Sequence, residues 1–245
     1  MRLLLTRPLA DSRRLARELH AARHELLIEP LLTIETLAPA LDLQGVQALA
    51  VSSRHALAFL ADHGAPAALR ALPLFAVGGA TAEAARAAGF ETVIDADGDA
   101  EALVASLAGR LDPAAGAVLH LSGDKVTPAL AEGLDAKGFA LRRALAYRAR
   151  EASALTTVCR AALAAGQLDG ATFLSPRTAA TFVRVAKEAG VAERCAGLLA
   201  FCLSAAVAKA LDGVSWRRIV VAASPRLDDL TAAIARTEQE ERPSR

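Results

Sequence analysis

Short apolar runs and longer amphipathic segments alternate along the whole chain. The runs fall at residues 2–6, 25–28, 47–51, 74–77, 92–94, 117–121, 171–174, 198–203 and 219–222. Runs of this length, bounded by Gly, Pro or Ser, predict strands of a buried parallel sheet. The segments between them carry apolar residues at helical spacing. In residues 8–23, Leu15 and Leu19 stand at i, i+4 while Arg13, Arg14, Arg17 and Glu18 face outward. Further helices are predicted after Ser53 to about 61, over 80–88, 99–110, 127–137 and 156–165, after Ser175-Pro176 to 189, after Ser204 to 211, and after Ser224-Pro225 to about 235. Gly89, Gly138, Gly190 and Gly213 are placed to stop helices, and Asp112-Pro113 breaks another. Residues 31–37 alternate between faces and read as an extended connector. Residues 139–150 are also strand-like, with Leu141, Arg143, Leu145 and Tyr147 on one face. The polar stretch 237–245 reads as a disordered tail.

The strand–turn–helix step is plainest at residues 74–90, where Gly78-Gly79 breaks an apolar run and a helix follows, with Thr81 placed to cap it. A second copy of such a step reveals a repeat. Ser52, Arg54, Ala56 and Phe59 line up with Ser175, Arg177, Ala179 and Phe182, and an apolar run precedes each set. A weaker echo of 74–90 lies at 202–211. The chain therefore reads as α/β, with two similar domains, each a parallel sheet flanked by helices. Counting strands assigns residues 1–35 with 151–245 to domain 1 and 36–150 to an inserted domain 2, with 31–37 and 141–149 as a two-stranded linker. Two contiguous halves are the rival division, which leaves the C-terminal sheet thin.

Composition narrows the function classes. The 245 residues are 53% apolar but only 4% aromatic, an Ala/Leu/Val interior. A formal net charge of +1 argues against a nucleic-acid binder. Arg supplies most of the 28 basic residues, which suits bidentate contacts to carboxylate or phosphate and equally reflects an Ala/Arg-rich composition. Cys159, Cys195 and Cys202 are odd in number and far apart, so no disulfide frame or zinc site is expected, only small buried side chains in a reducing compartment. His20 and His24 stand at i, i+4 without the other residues of a metalloprotease motif and read as surface; His55, His63 and His120 show no metal-ligand spacing either. The opening residues are too short for a signal-peptide core and nothing approaches a membrane span, so a cytoplasmic protein is expected.

The strand ends carry the candidate chemistry: Thr6-Arg7-Pro8, Ser52-Ser53, Gly78-Gly79, Ser122-Gly123, Ser175-Pro176, Ser204 and Ser224-Pro225. Ligands of parallel α/β sheets bind at such edges. Hydroxyls and the unpaired N–H groups of helix first turns suit anionic oxygens. The same residues are also ordinary helix caps, and that reading stands beside the first. No phosphate-binding loop, dinucleotide fingerprint or hydrolase elbow is present. A site without nucleophile, metal or cofactor motif would act by positioning and electrostatics.

In order and spacing, several pieces together resemble the uroporphyrinogen-III synthase family. They are Thr6-Arg7-Pro8, the SSRHALAFL step at 52–60, AVGGATAEAARAAGF at 76–90, HLSGDK at 120–125, Tyr147 in ALAYRAR, FLSPRTAATF at 173–182 and VVAASPRLDDL at 220–230. The resemblance implies two α/β domains with a cleft between them. It implies that hydroxymethylbilane, a small-molecule linear tetrapyrrole, loses water and cyclises with its last pyrrole ring inverted. No cofactor, metal, nucleic-acid partner or membrane is implied; a monomer is expected, with at most a transient partner from the same pathway. The implied acid for the leaving hydroxyl is Tyr147, with a packing or linker-anchoring role as the alternative. The implied substrate contacts are Thr6, Arg7, Ser52, Ser53, Gly78, Thr81, Ser122, Gly123, Ser175, Pro176, Arg177 and Ser204, with Arg54 a further candidate. Where the second half of the family shows Gly followed by Thr-Ala, this chain has Ser204 and Val207-Ala208. A two-lobed protein that binds an anionic ligand, or a regulatory relative without activity, is the alternative of another class.

Overall fold

A computed structural model describes residues 1–21 and 23–241; the side chains of His20, Ala21, Asp62 and His63 lie outside that description, and with them the surface reading of His20. In chain order the elements are β1 (Arg2–Leu5), α1 (Leu9–Ala21), β2 (Glu25–Ile28), β3 (Leu32–Thr36), β4 (Val46–Val51), α2 (Phe59–His63), α3 (Ala67–Arg70), β5 (Leu74–Ala76), α4 (Gly79–Ala87), β6 (Val93–Asp95), α5 (Ala100–Ala108), β7 (Ala117–Gly123), α6 (Ala129–Asp135), β8 (Leu141–Glu151), α7 (Thr157–Ala164), β9 (Gly170–Phe173), α8 (Pro176–Glu188), β10 (Leu199–Cys202), α9 (Ala205–Lys209), β11 (Arg218–Val221) and α10 (Leu227–Glu241). The chain divides into two compact units, residues 1–33 with 150–245, and residues 34–149.

The first unit holds a five-stranded sheet in the order β11-β10-β9-β1-β2, and every adjacent pair is parallel. Parallel strands need helical crossovers, and those helices cover both faces. Leu3, Leu5, Leu199 and Phe201 pack on one face with Leu15 and Leu19 of α1 and Leu230 and Ile234 of α10. The alternate residues Leu4, Ala171, Phe173, Ala200 and Cys202 pack on the other with Cys159 and Leu163 of α7 and Phe182 and Val185 of α8. All three cysteines are buried, and burial pushes each thiol up to about 12, which leaves them inert packing groups.

The second unit holds a six-stranded sheet in the order β3-β8-β7-β4-β5-β6. Leu49, Val51, Leu74, Ala76, Leu119 and Leu121 face Ala82 and Ala85 of α4; Ala48, Ala50, Phe75 and Val118 face α5 and α6 through Leu103, Leu107, Leu130 and Leu134. The expected connector strand and the long returning strand are thus sheet neighbours, and the Leu37 N–H donates to the Ala146 carbonyl at 2.8 Å.

Several local expectations are corrected. The segment after Ser53 is a single 3-10 turn, residues Arg54–Leu57, followed by the short α2, and α3 adds a helix that periodicity did not signal. The last helix runs on to Glu241, with Thr237 buried; only residues 242–245 of the expected tail lie outside the description. His24 is buried, not on the surface, and desolvation holds its imidazole below the ordinary range.

Glu29, 1% exposed just after β2, accepts hydrogen bonds from the N–H (2.8 Å) and the hydroxyl of Thr156, the N-cap of α7. Charge-assisted bonds of this kind contribute about 1.5–3 kcal/mol. Glu29→Ala is therefore expected to destabilise the first unit by about 2 kcal/mol, read as a lowered urea midpoint at unchanged slope.

Candidate functional site

In the second unit, the carboxyl ends of β4, β5 and β7 and the adjoining stretch of β8 bring together Ser52, Val77, His120, Gly123, Lys125, Thr127 and Tyr147 around a cavity of about 240 Å³. Tyr147 is half-buried on β8, opposite Gly123 in the β7–β8 register. Its ring tilts against His55, with centroids 5.8 Å apart. The Tyr147 hydroxyl makes no hydrogen bond to any described residue and stands at the cavity wall. Gly123 is required beneath the ring: a Cβ there would come within 2.5 Å of the phenol Cζ.

His120 is the residue that spacing arguments passed over. It is 5% exposed, within the apolar run of β7, and its Nε2 lies 3.2 Å from the Ser52 hydroxyl at the end of the neighbouring β4. Burial, with the Arg143 charge as a smaller cause, lowers its pKa to about 4, so the imidazole is neutral near pH 7. The only sequence signal was a titratable residue inside an otherwise apolar strand, immediately before a Leu-Ser-Gly strand end. Because the folded pKa is depressed from 6.5, the unfolded chain binds the extra proton between about pH 4 and 6.5, and stability falls as pH drops through that window. The loss is on the order of 3 kcal/mol. His120→Gln is expected to flatten the stability-against-pH curve there, measured by denaturant titrations at pH 7 and pH 4.5.

Gly78, with φ −171°, is the N-cap of α4, and no side chain caps that helix. The first N–H groups of α4 are thus left for water or an anion. Thr81 is not the cap expected of it: it lies inside the first turn and is buried. Ser53 is a helix cap, accepting from the His55 N–H at 3.3 Å. Ser122 is fully buried, and its hydroxyl accepts from Arg143 Nε at 2.7 Å.

The first unit places its candidates at the corresponding edge. Thr6 does not offer its hydroxyl to a ligand. It is fully buried and donates to the Thr172 carbonyl at 2.6 Å, tying β1 to β9. Arg7 pairs with Asp11 at 3.2 Å, and burial, then the Arg14 charge, lowers its pKa. Ser175 caps α8, accepting from the Thr178 N–H at 3.2 Å, with Pro176 in the first turn. Arg177 pairs with Glu151 at 2.9 Å. Ser204 caps α9 through the Val207 N–H at 3.4 Å. For Ser53, Ser175 and Ser204, then, the capping role raised from sequence is what the side chains perform. Arg54 lies on a separate groove with Leu57, Ala61, Arg70 and Ala88. Among the described residues no group of His, Cys, Asp and Glu could hold a metal ion, and no helix is long and apolar enough to cross a membrane.

A family model described as uroporphyrinogen-III synthase HemD matches residues 13–232. No curated protein matches the chain. The crystal structure of uroporphyrinogen-III synthetase from Helicobacter pylori superposes with a TM-score of 0.64 at 18% identity, covering 97% of this chain and 100% of that one. A mutant uroporphyrinogen III synthase from the extremely thermophilic bacterium Thermus thermophilus gives a TM-score of 0.59 at 18% identity, covering 98% of this chain and 100% of that one. At that identity the two likenesses establish the fold, two α/β domains of parallel sheet and flanking helices.

Proposed function

The chain belongs to the uroporphyrinogen-III synthase family, and from that premise we propose that it converts hydroxymethylbilane to uroporphyrinogen III as a hydro-lyase. The observation that carries the reading to particular residues is the Tyr147 phenol: at a cavity wall, over a glycine, with no hydrogen-bond acceptor among the described residues. Tyr147 donates its proton to the terminal hydroxyl of the bilane as the C–O bond breaks, so that water leaves and an azafulvene remains. The azafulvene methylene is attacked by the substituted α-carbon of the last pyrrole ring, giving a spiro intermediate. The older bond from that carbon to its methylene bridge then breaks, leaving a second azafulvene on the neighbouring ring, which the inverted ring's free α-carbon attacks. Loss of the proton on that carbon restores the pyrrole and returns to the phenolate the proton it gave. The protein's larger task is to fold the chain so that direct end-to-end closure does not win.

The substrate's carboxylates call for donors. Lys125, Thr127 and the uncapped start of α4 in the second unit, and Arg7 in the first, supply them at the carboxyl edges of their sheets. The test is to give the purified protein fresh hydroxymethylbilane and resolve the product isomers. Type III product is expected. Type I product alone, at the spontaneous rate, overturns the reading, and binding without turnover would favour an anion-binding protein instead.

A further inference from the structure

Tyr147 sits where its own strand holds it loosely. The β7–β8 ladder shifts register between Ser122 and Gly123, so that Ser122 pairs with Leu145 and Gly123 with Tyr147. Such irregularities re-aim a side chain but leave ladder bonds unmade. What replaces them is a side chain. Arg143, four residues before Tyr147 on β8, donates from Nε to the Ser122 hydroxyl at 2.7 Å. Its Nη2 donates to the Gly123 carbonyl and, at 3.0 Å, to the Asp124 carbonyl. On the far side of Tyr147, the Asp124 carboxylate accepts from the Ala149 N–H at 3.2 Å. The turn that carries Gly123 is thus fastened to β8 both before and after Tyr147, and the ring rests on that turn, since a Cβ on Gly123 would lie 2.8 Å from the phenol oxygen.

We infer that Arg143 is a positioning residue for the proposed reaction: its guanidinium clamps the turn at 122–124 against β8 and so fixes the orientation of the Tyr147 phenol. The chemistry requires arginine. A planar fork with several fixed donors can hold a hydroxyl and two carbonyls at once, whereas an ammonium group supplies the charge without that geometry. The inference rests on the reading of Tyr147 as the acid, and its test can be separated from that reading because the chain contains one tyrosine. Labelling with ring-¹³C-tyrosine gives NMR signals from Tyr147 alone, whether or not the enzyme turns over.

In the full chain, Arg143→Ala is expected to shift and broaden the Tyr147 ring signals and to lower kcat on the order of tenfold, with KM changed less than about twofold. Arg143→Lys is expected to behave like Arg143→Ala and serves in its place should the alanine variant fail to fold. Tyr147 signals identical to wild type in the variants overturn the inference whatever the rate does. Full recovery of signals and kcat by lysine overturns it as well, since charge alone would then suffice. If the signals move while Tyr147→Phe retains wild-type kcat, the clamp on the ring stands and the acid role of Tyr147 falls.

Discussion

Tyr147→Phe is expected to lower kcat about 100-fold, the low end of what a positioned general acid contributes, because a hydroxymethylpyrrole loses its hydroxyl readily even without help. The substitution removes one oxygen and leaves the ring, so the contact with His55 and the seat on Gly123 persist. Stability should therefore change by less than about 1 kcal/mol, since the hydroxyl has no described partner to lose. KM should hold, and the type I fraction of product should rise as enzyme-directed closure slows toward the spontaneous rate. Steady-state kinetics, denaturant titration and isomer separation read these in turn. An unchanged kcat would return Tyr147 to the packing role that the sequence left open.

The largest expected effect on stability lies in the other unit. Phe173 is fully buried on β9 and meets Phe182 edge-on at 5.3 Å and Trp216 at 5.6 Å between ring centroids. Truncation to alanine removes both contacts and opens a cavity that rigid strands on either side cannot close, a cost of about 3–5 kcal/mol. Phe173→Ala is expected to lower the denaturation midpoint of the first unit, followed by the fluorescence of Trp216, the single tryptophan. The Tyr147 signal in the second unit should keep its wild-type midpoint. A common shift of both would mean that the units unfold as one.

The central strands were legible because they are buried on both faces: residues such as 199–202 are apolar without interruption, as a strand inside a parallel sheet requires. The turns were legible because Gly, Ser and Pro end each run. Short elements were not. α2 and α3 hold five and four residues, too few for a helical period to register. The site was only partly readable for a related reason. Ser52 stands at a strand end, where chemistry is expected, and Tyr147, inside β8, was singled out by the family resemblance. By contrast His120 depends on a hydroxyl 68 positions earlier, and Arg143 on carbonyls 19 and 20 positions away. Pairings set by neighbouring strands leave no local trace. The serine hydroxyls illustrate the converse: a residue type suited to anions and to caps alike was decided by the first helical N–H groups within reach.

The adjacency of β3 and β8 bears on how the protein is assembled. β1 must find β9 across the whole intervening stretch, with Leu3 opposite Gly170. In a slack chain, closing so long a loop is slow and entropically costly. Once the second unit has formed, its entrance and exit are stitched side by side, with the Ala152 N–H on the Leu31 carbonyl, and the loop left to close no longer includes the residues between them. The interrupting segment thereby becomes the scaffold on which the split one completes itself, and synthesis from the ribosome delivers them in the order that makes this work.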